Sequence, residues 1–181
     1  MSCLDQISNK NFLLPVGFKF TLTKSPKISF FSTSAKIPRI TLETELLATY
    51  LKDLNIPGDK ISYEDLTIKF LVDEDLENYM TVHNWITGIG FPESAQQYKN
   101  LTTGNDGMRD SNRVYSDGSL YVLDSNYSTN FVVKFKDLYP IDLTPLDFDA
   151  TVTDPQPFTA EVTFKYTVYS IFDKNNNPYG S

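Results

Sequence analysis

Cysteine is almost missing from this 181-residue chain: Cys3 stands alone, which excludes an intrachain disulfide and any multi-cysteine metal site. Histidine is equally scarce, so chemistry that needs an imidazole base has a single candidate, His83. No apolar run approaches the ~20 residues that span a bilayer. The opening Met1-Ser2-Cys3-Leu4-Asp5-Gln6 lacks the basic start and apolar stretch of a signal peptide. The expectation is a soluble protein folded in a cytoplasm. Positive charge is the minority sign, with 16 Lys and Arg against 23 Asp and Glu and a net charge of −7. That balance argues against a general nucleic-acid binder, which needs cations to displace counterions from phosphates. A phosphate-cradling glycine loop is missing too, because Gly88-Ile89-Gly90 runs into Phe91-Pro92 and stops a helix instead of opening one. No internal repeat is visible.

What remains is an ordinary globular share of apolar residues, 40%, and of charged residues, 22%, in a length that suits one domain with an insertion or two. Aromatics are plentiful, with 13 Phe and 11 Tyr interleaved with Thr, Val and Lys, and this favours strands. Val16 to Thr23 alternates through Phe18, Phe20 and Leu22. Ser25-Pro26-Lys27 reads as a turn, after which Ile28 to Ser34 returns. Thr41 to Leu51 is extended, and Lys52 to Lys60 carries the turn chemistry of Asn55-Ile56-Pro57-Gly58-Asp59. Lys60 to Tyr63 and Leu66 to Val72 resume the strand, so residues 41–72 predict a long hairpin with a polar tip.

One helix is predicted, over about 74–88. Asp73, Glu74, Asp75 and Glu77 sit where a helix start favours negative charge, and Leu76, Tyr79, Met80, His83 and Ile86 form a stripe flanked by Val82, Trp85 and Ile89. Residues 97–130 are rich in Gly, Asn, Ser and Asp, and only Ser119 to Leu123 has strand character. They read as a surface insertion with a small hairpin. Asn130 to Lys136 alternates again. Tyr139 to Leu143 and Leu146 to Thr151 predict a bend and a short strand. Phe158 to Phe172 predicts the longest strand, with Ala160, Val162, Phe164, Tyr166 and Val168 on its dry face. Its wet face carries Thr159, Glu161, Thr163, Lys165, Thr167 and Tyr169, and the tail 173–181 reads as flexible. The fold class is mainly β: an antiparallel barrel or sandwich with one flanking helix.

The reactive side chains have plainer uses than catalysis. His83 lies on or beside the apolar stripe of a helix and has no local nucleophile, so a packed histidine is the simpler reading. The acidic run at 73–77 is explained by a helix start without a cation. Asp106-Gly107 and Asp117-Gly118 miss the spacing of a calcium loop and read as turns. Asp142, Asp147, Asp149 and Asp154 fall at strand ends, where solvent satisfies them. Cys3 has no partner histidine motif. No catalytic, metal or cofactor site emerges, and the expectation is a protein that is not an enzyme.

The order of the phrases is more telling than any one of them. Pro57-Gly58-Asp59-Lys60 leads to Tyr63-Glu64-Asp65 and the strand Leu66-Thr67-Ile68-Lys69-Phe70-Leu71-Val72. Asp73-Glu74-Asp75 then opens a helix running through Asn84-Trp85. Leu138-Tyr139-Pro140, Leu146-Asp147-Phe148-Asp149 and the strand Phe158 to Tyr169 close the series. In this order the chain resembles the tail tube proteins of contractile-tailed bacteriophages, over most of its length outside 97–130. The resemblance implies one tail-tube-like domain over 1–181, and subunits that form stacked hexameric rings around a DNA-conducting channel. It also implies itself, the sheath, and baseplate or neck proteins as partners. DNA would pass without specific binding, no membrane or cofactor is involved, and the location is a virion tail assembled in the host cytoplasm. It further implies that the loop Lys52, Asp53, Asn55, Ile56, Pro57, Gly58, Asp59 and Lys60 contacts the next ring. Charge pairs among Lys52, Asp53, Asp59 and Lys60 would set register there. The wet residues Thr159, Glu161, Thr163, Lys165 and Thr167 would line the channel or join a neighbouring subunit.

Two features depart from a minimal tube subunit: the length of 97–130 and the polar tail. Either fits a specialised ring, such as a tube initiator at the baseplate or a ring near the neck. A reading from another class is a carbohydrate-binding β-sandwich, which needs exposed aromatics on one surface.

Overall fold

Alternation decides most of the architecture. A computed structural model describes residues 17–24, 28, 32–90, 93–103, 111–124, 128–148 and 156–179. Cys3, the turn at Ser25-Pro26-Lys27, the Asp106-Gly107 pair, Asp149 and Asp154 lie outside them. The strands are β1 (Phe18–Leu22), β2 (Ser32–Ala35), β3 (Ile40–Leu47), β4 (Leu54–Tyr63), β5 (Leu66–Leu71), β6 (Ser116–Leu123), β7 (Thr129–Leu143), β8 (Thr159–Lys165) and β9 (Val168–Asp173). Among the described residues, two α-helices, α1 (Glu77–Gly90) and α2 (Ala95–Thr102), and a 3-10 turn, Ser111–Val114, lie between β5 and β6. All strand pairings are antiparallel, in the order β1-β6-β7-β8-β5-β2, with β9 added to β7. β1 and β2 approach each other at the ends of this order, so the sheet curls; among the described residues no pairing closes it. The fold is mainly β, as expected.

The core fills the inside of that curl. Phe20 and Leu22 of β1, Leu66, Ile68 and Phe70 of β5, Val133, Phe135 and Leu138 of β7, and Ala160, Val162 and Phe164 of β8 are buried there. In β5 and β8 the intervening residues are the less buried ones, which is the period-2 signature of one dry face.

Three expected elements differ. The longest strand is β7 and not the predicted Phe158 to Phe172, which breaks at Tyr166-Thr167 into β8 and β9. Thr167 is therefore outside any strand. β7 itself kinks at Asp137, whose φ of 57° is left-handed. Its first half carries β6 and β9 on its two edges, and its second half carries β8. One bent strand thus serves two pieces of sheet. The 97–130 segment is also more than a surface insertion: α2 and β6 fall in it, and β6 is an inner strand between β1 and β7. The tail, expected to be flexible, forms a turn as far as Tyr179. Asp173 accepts the backbone N–H groups of Asn175 (2.8 Å) and Asn177 (2.9 Å), and Tyr179 N–H bonds to the Ile171 carbonyl.

The helix prediction is right in kind and shifted in phase. α1 starts at Glu77, after a turn whose Leu76 has a φ of 57°, so Asp73, Glu74 and Asp75 precede the helix. The corner is held by Asn78, which is fully buried. Its Nδ2 donates to the Leu71 carbonyl (2.7 Å), and its Oδ1 accepts from Asp73 N–H (3.2 Å) and Tyr79 N–H (2.7 Å). Setting Asn78 inward rotates the buried face to Asn78, Val82, Trp85 and Gly88. Met80 and His83 of the expected stripe consequently face solvent. Trp85 donates its indole N–H to the Val114 carbonyl at 2.7 Å and packs against Phe164.

Candidate assembly surfaces

One element takes no part in the curled sheet. β3 and β4 form a separate two-stranded ribbon, and nearly all its residues are solvent-exposed. Its apolar side chains include Ile40, Leu42, Leu46, Leu54, Ile56 and Ile61, and at the tip Leu51 is 91% exposed. A lone hairpin is marginal in water, and a contiguous exposed apolar surface commonly marks an interaction site.

The tip lies earlier than the sequence suggested. It is formed by residues 48–53, where the Thr49 hydroxyl and the Lys52 carbonyl bond across the turn. Lys52 and Asp53 are therefore at the tip, whereas Asn55, Ile56, Pro57, Gly58, Asp59 and Lys60 are strand residues of β4. Turn-forming residues end up in a strand because the ribbon bulges there. The register slips between Leu42 and Thr44, and Gly58 faces the chain at Glu43. A Cβ on Gly58 would meet the Glu43 carbonyl oxygen at 2.7 Å, so glycine permits the close approach. Pro57, lacking an N–H, sits beside the same irregularity, opposite Thr44.

The root of the ribbon is built differently. Glu64 N–H bonds to the Arg39 carbonyl (3.0 Å), and the Glu64 carboxylate accepts from Arg39 N–H and Lys36 Nζ, both at 3.3 Å. The Lys36 hydrogen bond, then the Arg39 amide, then the Lys36 charge hold the Glu64 carboxyl below its ordinary pKa. Tyr166 O–H donates to the Glu64 carbonyl (2.8 Å) and Tyr169 O–H to the Pro38 carbonyl (3.2 Å). Burial, followed by the neighbouring Tyr169 and Tyr63 and by Asp65 and Glu64, raises the pKa of the Tyr166 phenol. The Tyr169 phenol is also raised, by burial and then by Tyr63.

The outer face of β8 is a second surface. Thr159, Glu161, Thr163 and Lys165 lie on it, the first three opposite Leu71, Lys69 and Thr67 of β5. Lys69 pairs with Glu161 at 3.0 Å and Lys165 with Asp65 at 3.0 Å. The face is polar and its charges cancel locally.

Other sequence candidates do not converge. His83 is exposed on α1, and among the described residues no group of three or more His, Cys, Asp or Glu could hold a metal ion. A cleft of about 450 Å³ between α1 and α2 is lined by Lys24, Asn84, Trp85, Asn100 and others. Lys24 donates to the Arg113 carbonyl (2.6 Å) with its ammonium 4.6 Å from the Trp85 ring centre, and burial lowers its pKa to about 8. Trp85 is 2% exposed and cannot act as a sugar platform.

Comparison with known families agrees with this architecture. Residues 8–172 match the family described as phage tail tube protein. The chain belongs to that family. Among curated relatives, the tail tube terminator protein of enterobacteria phage T4 is 26% identical over 117 residues. That match covers 64% of this chain, and it spans about 60% of the length of the T4 protein. Solved folds agree. A chain in the six-fold symmetrised baseplate of the anti-feeding prophage superposes with a TM-score of 0.63 at 11% identity, covering 91% of this tail tube family chain and 98% of that one. The tube-terminating cap of the same particle gives 0.58 at 15% identity, with 94% and 97% covered. A chain of the sheath–tube complex of an extracellular contractile injection system gives 0.55 at 14% identity, with 96% and 99% covered.

Sequence reasoning missed the tyrosines at the ribbon root. No sequence signal could have found them: Tyr166 and Tyr169 are three apart, a spacing that a continuous strand would send to opposite faces.

Proposed function

We propose that this protein is a structural, non-catalytic subunit of a contractile tail tube that joins six copies of itself into a ring, and that the ring terminates the tube. The observation that carries the reading is the β3–β4 ribbon, an apolar two-stranded arm left in solvent by a chain of the tail tube family. Such an arm finishes its burial on a neighbouring copy, and repetition around an axis gives a closed assembly without loose edges. The ring order follows the six-fold symmetry of the baseplate that holds a chain of the same fold. The terminating role follows the T4 relative, which is a tail tube terminator. The outer face of β8 lines the channel, where the Lys69–Glu161 and Lys165–Asp65 pairs leave little net charge to hold or repel a passing DNA. Sheath and neighbouring rings are the partners, and the virion tail is the location.

The purified protein is expected to form six-fold rings by mass photometry and negative-stain microscopy, and to cap growing tubes so that added protein shortens them. Stable monomers at all concentrations would overturn the ring, and unlimited polymerisation into tubes would reassign the chain to the repeating tube. Of the charged residues expected to stack rings, Asp53→Lys at the tip should impair contact with the tube more than Asp59→Lys within β4.

A further inference from the structure

The ribbon leaves the core through two short connections, residues 36–39 into β3 and Glu64-Asp65 out of β4. One backbone bond, Glu64 N–H to the Arg39 carbonyl, closes the ribbon at that level. Left to these strands alone, the arm would swing about its root. It is instead braced from the side. Tyr169 O–H holds the Pro38 carbonyl, just before β3, and Tyr166 O–H holds the Glu64 carbonyl, just after β4. Each strand of the arm is gripped where it leaves the core.

The two phenols are themselves fixed. Phe135 of β7, 1% exposed, meets the Tyr166 ring edge-on at 5.1 Å and the Tyr169 ring at 5.7 Å. Tyr63, the last residue of β4, meets the same two rings from the ribbon, tilted at 6.0 Å from Tyr166 and edge-on at 5.6 Å from Tyr169. Four rings therefore run from the core to the root of the ribbon, in the edge and tilted contacts that aromatic pairs favour. The break between β8 and β9 brings Tyr166 and Tyr169 to the same side despite their spacing.

We propose that Tyr63, Tyr166 and Tyr169 are positioning residues that form a rigid post, aiming the ribbon before it meets the next copy of the chain. This rests on the ribbon being the assembly arm. A pre-aimed arm loses less freedom on association, and that difference appears as affinity.

The test uses the full chain in a Cys3→Ser background, with nitroxide labels at Lys19→Cys on β1 and Lys52→Cys at the ribbon tip. The labelled chain is diluted into unlabelled chain so that only intrachain distances are read. The parent should give one narrow distance peak. Tyr166→Phe with Tyr169→Phe should broaden it about twofold, and the concentration at half-assembly into rings should rise roughly tenfold, because the loosened arm must be ordered on association. Tyr63→Leu, which keeps an apolar group but removes the outer ring, should broaden the peak as well. An unchanged width in both variants overturns the post. A parent that forms no rings overturns the assembly reading instead, and the distance widths still decide the post.

Discussion

β5 and β3 lie close in the chain with only β4 between them, and they are similar in composition and opposite in fate. β5 sends Leu66, Ile68 and Phe70 into the core, where all three are completely buried. β3 carries Ile40, Leu42, Leu46 and Leu47, and every residue of it is exposed. Alternation alone does not separate them. The difference is what covers each: β5 is paired on both edges, by β2 and β8, while β3 has only β4. A strand pair that cannot fill its own apolar surface is cheap for the monomer to lose and costly for an assembly to lose. The comparison therefore predicts that stability and assembly can be damaged separately.

The sharpest separation is between Phe70 and Leu51. Phe70→Ala removes a fully buried ring and should cost about 3–5 kcal/mol of unfolding free energy, enough to leave little folded protein. Leu51→Ala, at a side chain 91% exposed, should stay within about 0.5 kcal/mol in a denaturant melt. It should nevertheless weaken ring formation seen by mass photometry. Equal loss of stability from the two changes would erase the contrast.

The corner between β5 and α1 comes next in size. Asn78→Ala strands the Leu71 carbonyl and the Asp73 and Tyr79 N–H groups in a buried place, at about 1–3 kcal/mol in a chemical melt. A substitution with no effect there would show that the corner is held by packing of Val82 and Trp85 alone.

A third change acts inside the ribbon. Gly58→Ala presses a methyl against the Glu43 carbonyl, which belongs to backbone and cannot rotate aside. It should open the bulge and speed hydrogen exchange across β3 and β4 by roughly tenfold or less, with exchange in β5 and β8 unchanged. Faster exchange throughout the core would mean that ribbon and core unfold as one unit, against the contrast drawn above.

Much of the core was readable in the residues, because Phe18 to Leu22, Leu66 to Leu71 and Thr159 to Lys165 obey a strict period of two and have one dry face each. What was not readable depends on contacts distant in the chain. Ser119 to Leu123 has strand character but reads as a small hairpin in a surface insertion, because Ser116, Asp117 and Gly118 before it are turn-like; yet Gly118 is buried against Phe20 and its strand is sandwiched by β1 and β7. Asn55 to Asp59 has turn chemistry that serves a bulge. The helix stripe was misphased because Asn78, a polar residue, takes an inward position by satisfying the backbone around it. For the assembly surfaces, sequence pattern located a hairpin but drew it over 41–72, whereas the ribbon ends at Tyr63, β5 belongs to the curled sheet, and the tip lies several residues earlier than expected. It could not show the brace at the root, because Tyr166 and Tyr169 share a side only once the strand between them is broken.

The smallest effect is also the most local. Glu64 is held in its charged form by Lys36 and the Arg39 amide, so its folded pKa lies below the ordinary value of 4.5. A depressed carboxyl contributes its share above the ordinary value and loses it as the pH falls through the lowered one. Acid should therefore release the Lys36 and Arg39 contacts at the ribbon root while the phenol bonds from Tyr166 and Tyr169 persist, because those groups do not titrate there. Hydrogen exchange of Arg39, corrected for the intrinsic pH dependence of the chemistry, should rise modestly as the pH falls below the ordinary carboxyl value of 4.5. Glu64→Gln should show the raised exchange already at neutral pH and lose the acid step. A step that survived in Glu64→Gln would belong to another carboxylate. The Asp173 turn is the control, since its carboxyl is lowered chiefly by the Asn177 amide and should respond to acid at the far end of β9, with or without Glu64.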